Sequence, residues 1–210
     1  MAREGYGRWL VLMVKEPRLG RVKTRLAREI GSVPATRFYR TTARNMIRRL
    51  ARDRRWRTVL AVAPDTALAS PAWPAELPRL AQGRGDLGDR MQHVMDVLPP
   101  GPALIIGTDI PAIRPGHLAR AFRLLGTNDA VFGAAGDGGY WLVGLKRMPR
   151  VRQIFRNVRW STAHALADTQ ANLAGRRVGR AAEISDVDGA EDYRRHGGAG
   201  ARVVCPPWQR

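Results

Sequence analysis

A chain of 210 residues has room for one domain with a full core and is short for two. With 44% hydrophobic and 26% charged residues it has a globular balance, and its longest apolar runs, Trp9–Val14 and Ala103–Ile106, are far too short to cross a bilayer. The net charge of +18 invites a polyanion, yet the basic residues are spread along the chain and 33 of the 36 are arginine, which reads as a compositional bias rather than a nucleic-acid site.

The first predicted element is a buried strand over Arg8–Val14. Lys15-Glu16-Pro17 follows where a leader peptide would need a small-residue cleavage site, so this stretch reads as a core strand. Next comes the loop Lys15-Glu-Pro-Arg-Leu-Gly-Arg-Val-Lys-Thr-Arg25, which combines Gly20 with several cations ahead of a helix. Backbone N–H groups at a helix start and Lys/Arg side chains together attract anions. The loop lacks the glycine spacing and Gly-Lys-Ser/Thr of a Walker motif, but it holds Lys15 and Lys23, two of only three lysines in the chain. A basic surface loop is the alternative.

A helix is expected over Val33–Arg52, with Phe38, Ala43, Met46, Ile47 and Leu50 near helical spacing. The arginine cluster of residues 48–57 reads as the exposed end of that helix, running into a strand over Trp56–Ala63. A Pro/Ala-rich loop reaches Pro78, a helix spans Leu87–Leu98, and a buried strand over Ala103–Gly107 ends at Thr108-Asp109. The next helix starts at Pro115, which suits a first turn. Strands over Asp129–Ala134 and Tyr140–Leu145 flank the turn signal Gly136-Asp137-Gly138-Gly139 and suggest one antiparallel member. Ser161 or Thr162 caps a helix reaching about Ala174, stopped by Gly175. A strand near Val178–Ile184 leads to Asp186-Val187-Asp188, a last short helix, and an irregular tail from about residue 197 to 210. Its lone Cys205, beside Pro206 and Pro207, cannot form an internal disulfide and fits a reducing, cytoplasmic compartment.

Strands interleaved with helices predict one α/β domain over residues 1–210, a three-layer α/β/α sandwich around a mainly parallel mixed sheet. Ligands of such sheets bind beyond the carboxyl ends of the strands. Asp109, stiffened by Pro111, stands there and could bridge a hard cation to phosphates, although strand-terminal aspartates also cap turns. Asp186 and Asp188 would point to one side of their strand end, with Asp188 either a second ligand or a helix cap. No Cys/His cluster has zinc spacing, and no nucleophile elbow is present, which fits direct transfer of a group from a leaving phosphate.

PRLGRVKTRL, QGRGDLGDRM, GTDIP, GDGGYWLVGL, WST and DVDGAED, in this order over about Leu10–Asp192, resemble the DUF2064 family of bacterial GT-A-like proteins. Some of its members are named arsenosugar-biosynthesis glycosyltransferases. The chain is also more distantly similar to 2-phospho-L-lactate guanylyltransferase and the molybdenum-cofactor guanylyltransferases. The resemblance implies the nucleotide-diphospho-sugar transferase (GT-A, Rossmann-like) fold. It implies Lys23 and Arg25 on nucleotide phosphates, with Lys15, Gly20 and Thr24 in the same loop, and Asp86, Gly88 and Arg90 beside the nucleotide. It also implies Mg²⁺ or Mn²⁺ on Asp109, with Asp188 second. Asp137, Gly138, Gly139, Tyr140, Trp160, Ser161 and Thr162 would lie on the sugar or acceptor side, Asp137 as the base.

One departure is local. Where family members carry Pro and an acidic residue before Asp-Gly-Gly, this chain has Ala134-Ala135-Gly136. The expected partners are a nucleotide-sugar, or a nucleoside triphosphate in a nucleotidyltransferase, plus a small-molecule acceptor; the sequence leaves room for a homodimer. A non-catalytic nucleotide- or nucleic-acid-binding protein is the further alternative, motivated by the charge and by that departure.

Overall fold

The computed structural model describes residues 7–148 and 152–184 together with Tyr193. In chain order the elements are β1 (Trp9–Lys15), α1 (Thr24–Ile30), α2 (Ser32–Ala51), β2 (Arg57–Ala63), β3 (Arg79–Ala81), α3 (Leu87–Val97), β4 (Ala103–Gly107), α4 (Pro115–Thr127), β5 (Ala130–Ala134), β6 (Tyr140–Leu145), α5 (Ala165–Ala171) and β7 (Val178–Arg180). The seven strands form one sheet in the order β3-β2-β1-β4-β6-β5-β7. Only β6 runs against its neighbours β4 and β5; all other pairs are parallel.

Strand alternation creates the two outer layers. On β1, Leu10, Leu12 and Val14 join Met46 and Ile47 of α2 and Phe122 of α4 on one face. Trp9 and Val11 join Val94 and Met95 of α3 with Phe155 and Leu173 on the other. A strand buried on both faces must be apolar throughout, which is why β1 and β4 are unbroken apolar runs. Full burial of each Leu or Ile contributes about 1.5–3 kcal/mol.

The long helix begins at Ser32, and α1 is a separate short helix before it, divided from α2 by Gly31 at φ 90°. Seven residues, about two turns, are too few for the apolar spacing of residues 24–30 to show a helical period. The three-residue β3 was likewise too short to show alternation. The expected cap of the fifth helix lies further on, since α5 starts at Ala165. Thr162 instead accepts the His164 N–H at 3.2 Å and donates to the Arg159 carbonyl at 2.7 Å, while Ser161 adopts φ 61°. The last strand is regular only to Arg180, although Ala181 and Ile184 N–H groups still bond the Phe132 and Ala134 carbonyls. Among the described residues no helix is long and apolar enough to cross a membrane. Asp186, Asp188, Cys205 and the 197–210 tail lie outside the described residues.

Candidate functional site

The chain runs from β1 outward to β2 and β3, then returns to place β4 on the other side of β1. That reversal opens a crevice at the carboxyl ends of β1 and β4, the position where open α/β sheets take ligands. Lys15 ends β1, and Asp109 follows β4 by two residues.

Lys23 Nζ lies 2.9 Å from Asp109 Oδ2, with 6% of the lysine side chain exposed against 34% of the aspartate's. The lysine sits at the cap of α1 in the left-handed region, φ 46° and ψ 48°. That conformation costs a non-glycine residue about 1–2 kcal/mol. A strained backbone retained with a buried cation at its end is characteristic of ligand sites. The charge on Asp109 is thus neutralised from within while one third of its side chain stays open to the crevice.

A polar network fixes the two strand ends. The Lys15 amide donates to Tyr39 Oη at 2.8 Å, and Thr108 Oγ1 donates to the Met13 carbonyl at 3.2 Å. Tyr39 Oη approaches Thr108 Oγ1 at 3.5 Å, which closes a ring between β1, α2 and the loop bearing Asp109. Burial pushes the Tyr39 hydroxyl above its ordinary value, so it remains a neutral donor. Buried Gln82 donates to the Val14 and Ala61 carbonyls at 3.0 and 2.8 Å and ties the end of β3 to β1 and β2.

Two cavities open near these strand ends, one lined by Asp109 and the other by Lys15, while Lys23 lines neither. The larger, about 720 Å³, is walled by Lys15, Arg18, Arg21, Arg84 and Arg90, with Glu16 and Asp65 as its acidic members. Five cations against two carboxylates leave the cleft net positive, with Arg18 already paired to Glu16. The smaller, about 290 Å³, has Asp109 and Asp137 among its lining residues, with Gly139, Tyr140, Trp160 and Ser161. Thr162 lines it as well. Gly138 stands behind, at φ 82°, where an added Cβ would fall 2.3 Å from the Ala163 carbonyl oxygen. Asp137 Oδ1 accepts the Gly139 N–H at 2.9 Å, which leaves Oδ2 for a ligand.

The structure therefore gathers the residues expected on the acceptor side around one cavity, and Lys15 and Arg90 around the other. It gives three others local duties. Asp86 caps α3 in a reciprocal box with Asp89. Gly88 lets α3 touch the Trp160 loop, since a Cβ there would lie 2.7 Å from both the Phe155 carbonyl oxygen and Trp160 Cζ2. Gly20 supplies a φ of 69° in the cationic loop. Thr24 and Arg25 open α1 with exposed side chains and are not among the lining residues of either cavity. Sequence reasoning missed Tyr39, Thr108 and Gln82, because a buried polar group satisfied across 24 to 95 residues leaves no local pattern.

A divalent metal fits this donor set, among the described residues, through Asp109. Among the described residues no three acidic, histidine or cysteine groups cluster, so these residues form no preformed cage. Asp109 offers one accessible carboxylate, enough for a Mg²⁺-like ion that takes its remaining ligands from phosphate and water.

A family model described as "Uncharacterized protein conserved in bacteria (DUF2064)" matches residues 46–162. No curated protein matches in sequence. Among solved structures, a protein of Desulfovibrio desulfuricans G20 assigned to the nucleotide-diphospho-sugar transferases is 28% identical and superposes with a TM-score of 0.83, over 95% of this chain and 90% of that one. The 4-diphosphocytidyl-2C-methyl-D-erythritol synthase of Anaerococcus prevotii DSM 20548 shares 9% identity at a TM-score of 0.56, over 93% and 99%. Rv0371c of Mycobacterium tuberculosis H37Rv, in complex with manganese, shares 13% at 0.52, over 90% and 97%. The fold is the three-layer one of nucleotide-diphospho-sugar transferases and nucleotidyltransferases.

Proposed function

The chain belongs to the DUF2064 family, and on that premise we propose that it is a transferase that transfers a glycosyl group from a nucleotide-sugar to a small acceptor. The observation that carries this reading is the Lys23–Asp109 ion pair just beyond β4, with Asp109 on the lining of the smaller cavity and a separate cationic cleft beginning at Lys15, the last residue of β1. A donor with its diphosphate at this pair would place its sugar at the mouth of the smaller cavity.

Lys15, Arg18, Arg21, Arg84 and Arg90 attract and orient the phosphates, and Lys23 neutralises charge on the departing diphosphate. The acceptor hydroxyl attacks the anomeric carbon, the bond from that carbon to the diphosphate oxygen breaks, and nucleoside diphosphate leaves. The hydroxyl proton passes to Asp137 Oδ2, whose carboxylate is fixed by its bond to Gly139. Mg²⁺ or Mn²⁺ held by Asp109 would supply electrophilic stabilisation of the diphosphate; Asp188 is proposed as its second carboxylate.

Nucleotidyl transfer is the second reading, favoured by the number of cations. Five cations less the two carboxylates Glu16 and Asp65 leave a net charge of +3 around the cleft, which suits a triphosphate at least as well as a diphosphate. In that case the acceptor attacks the α-phosphorus and pyrophosphate leaves. Product analysis decides: release of nucleoside diphosphate from a nucleotide-sugar supports the first reading, and release of pyrophosphate from a nucleoside triphosphate supports the second.

A further inference from the structure

The smaller cavity divides sharply by chemistry. Its floor is Met13, Ile105 and Val143 from the sheet with Met91 from α3, of which Met13 keeps the most exposure; its acids, with Ser161 and Thr162, sit on loops, and Tyr140 belongs to β6. On its aromatic wall the Trp160 indole N–H is buried and has no partner among the described residues. Tyr140 turns its hydroxyl to Thr169 Oγ1 at 3.4 Å and meets Trp160 edge-on, with ring centroids 6.3 Å apart. Thr162 is spent on Arg159 and His164. A sugar ring placed deep in this cavity would lose hydration at every hydroxyl and regain few hydrogen bonds, which is strongly unfavourable.

Leu87 adds an independent sign. It lines the same cavity at the first turn of α3, yet leaves 46% of its surface in water. A large aliphatic side chain half exposed at a cavity mouth is a surface that a ligand can cover. The volume of about 290 Å³ lies at the small end of ligand pockets, which run from about 300 to 1,000 Å³.

We propose that this cavity binds the acceptor by a compact apolar part, aromatic or alicyclic, which lies on Met13, Leu87 and Trp160 and holds the acceptor's hydroxyl at the rim beside Asp109 and Asp137. The acceptor class is thus a small amphiphilic alcohol, not a polyol or a glycan chain. This rests on the reading of the neighbouring cleft as the donor site, but the cavity's preference can be measured without a donor.

The test is ligand-observed NMR and calorimetric titration of the full chain with cyclohexanol and phenol, against glycerol and myo-inositol. The expected result is binding of cyclohexanol and phenol with a Kd on the order of 1 mM and none of the polyols. Met91→Trp fills the floor and should abolish that binding. Leu87→Glu, at an exposed first helical position where an acid is favoured, should weaken it several-fold without risk to folding. Equal binding of polyols, no binding of either apolar alcohol, or cyclohexanol binding unchanged in both variants would overturn the proposal. Nucleotide titration of the wild type keeps the two ideas apart. Cyclohexanol binding without nucleotide binding would defeat the proposed function and leave the cavity's preference standing, and the reverse result would do the opposite.

Discussion

Replacing Lys23 by methionine separates what the ion pair does for the fold from what it does for the donor. Methionine keeps most of the apolar stem in its buried slot and removes the charge. With Nζ and Oδ2 at 2.9 Å and the charge centres about 4 Å apart, an effective dielectric of 20 gives an upper limit of about 4 kcal/mol. Asp109 is one-third exposed, so water screens it, and the ammonium has itself lost most of its hydration. These effects leave a net contribution of about 1–2 kcal/mol. Donor binding should suffer more, because a charge-assisted hydrogen bond to phosphate, about 1.5–3 kcal/mol, disappears outright. Urea denaturation of Lys23→Met should therefore show a loss of about 1–2 kcal/mol, while nucleotide affinity falls about 10- to 100-fold. A stability loss above about 4 kcal/mol would make the pair a structural device, and unchanged nucleotide affinity would remove Lys23 from the donor site.

Tyr39→Phe leaves the Lys15 N–H and Thr108 Oγ1 short of a partner and should cost about 1–2 kcal/mol by urea denaturation, with weaker nucleotide binding as the strand ends loosen. Gly88→Ala drives a Cβ to 2.7 Å from Trp160 Cζ2 and the Phe155 carbonyl; a loss of about 1–3 kcal/mol and a shifted tryptophan emission are expected, and a neutral result would deny this contact between α3 and the loop. The bidentate bond from Arg159 holds the Asp168 carboxyl well below its ordinary value of 3.8. Because the folded value is depressed, the clamp's stabilisation is complete above that pH and is lost as pH falls below about 4. Acid titration followed by tryptophan fluorescence should show loosening of the 159–162 loop in this window in the wild type, and Asp168→Asn should show the loosened signal already at neutral pH.

The alternation of apolar runs with periodic helical segments was enough to read the sheet and its layers from sequence, down to the single antiparallel strand announced by the Asp137-Gly138-Gly139 turn. Residues next to strand ends could likewise be singled out, since Lys15 and Asp109 follow directly from where the apolar runs stop. Short elements such as β3 and α1 were illegible because three or seven residues cannot establish a period. The double use of Asp86 as a helix cap and the satisfaction of Tyr39 by Lys15 and Thr108 depend on tertiary neighbours. The apolar floor under the acceptor side was hidden for a different reason. Met13, Ile105 and Val143 read as ordinary core residues, and Ile105 and Val143 are buried, at 3% and 1% exposure; the fold adds that they back onto a cavity.

The most direct measurement is calorimetric titration of the wild type and Asp109→Ala with nucleoside triphosphates and nucleotide-sugars, with and without Mg²⁺ or Mn²⁺. Metal-dependent binding of a nucleotide donor by the wild type, lost in the variant, is the expected result. Equal binding by both proteins, or no binding of any nucleotide, would contradict a metal-assisted donor site at the Lys23–Asp109 pair.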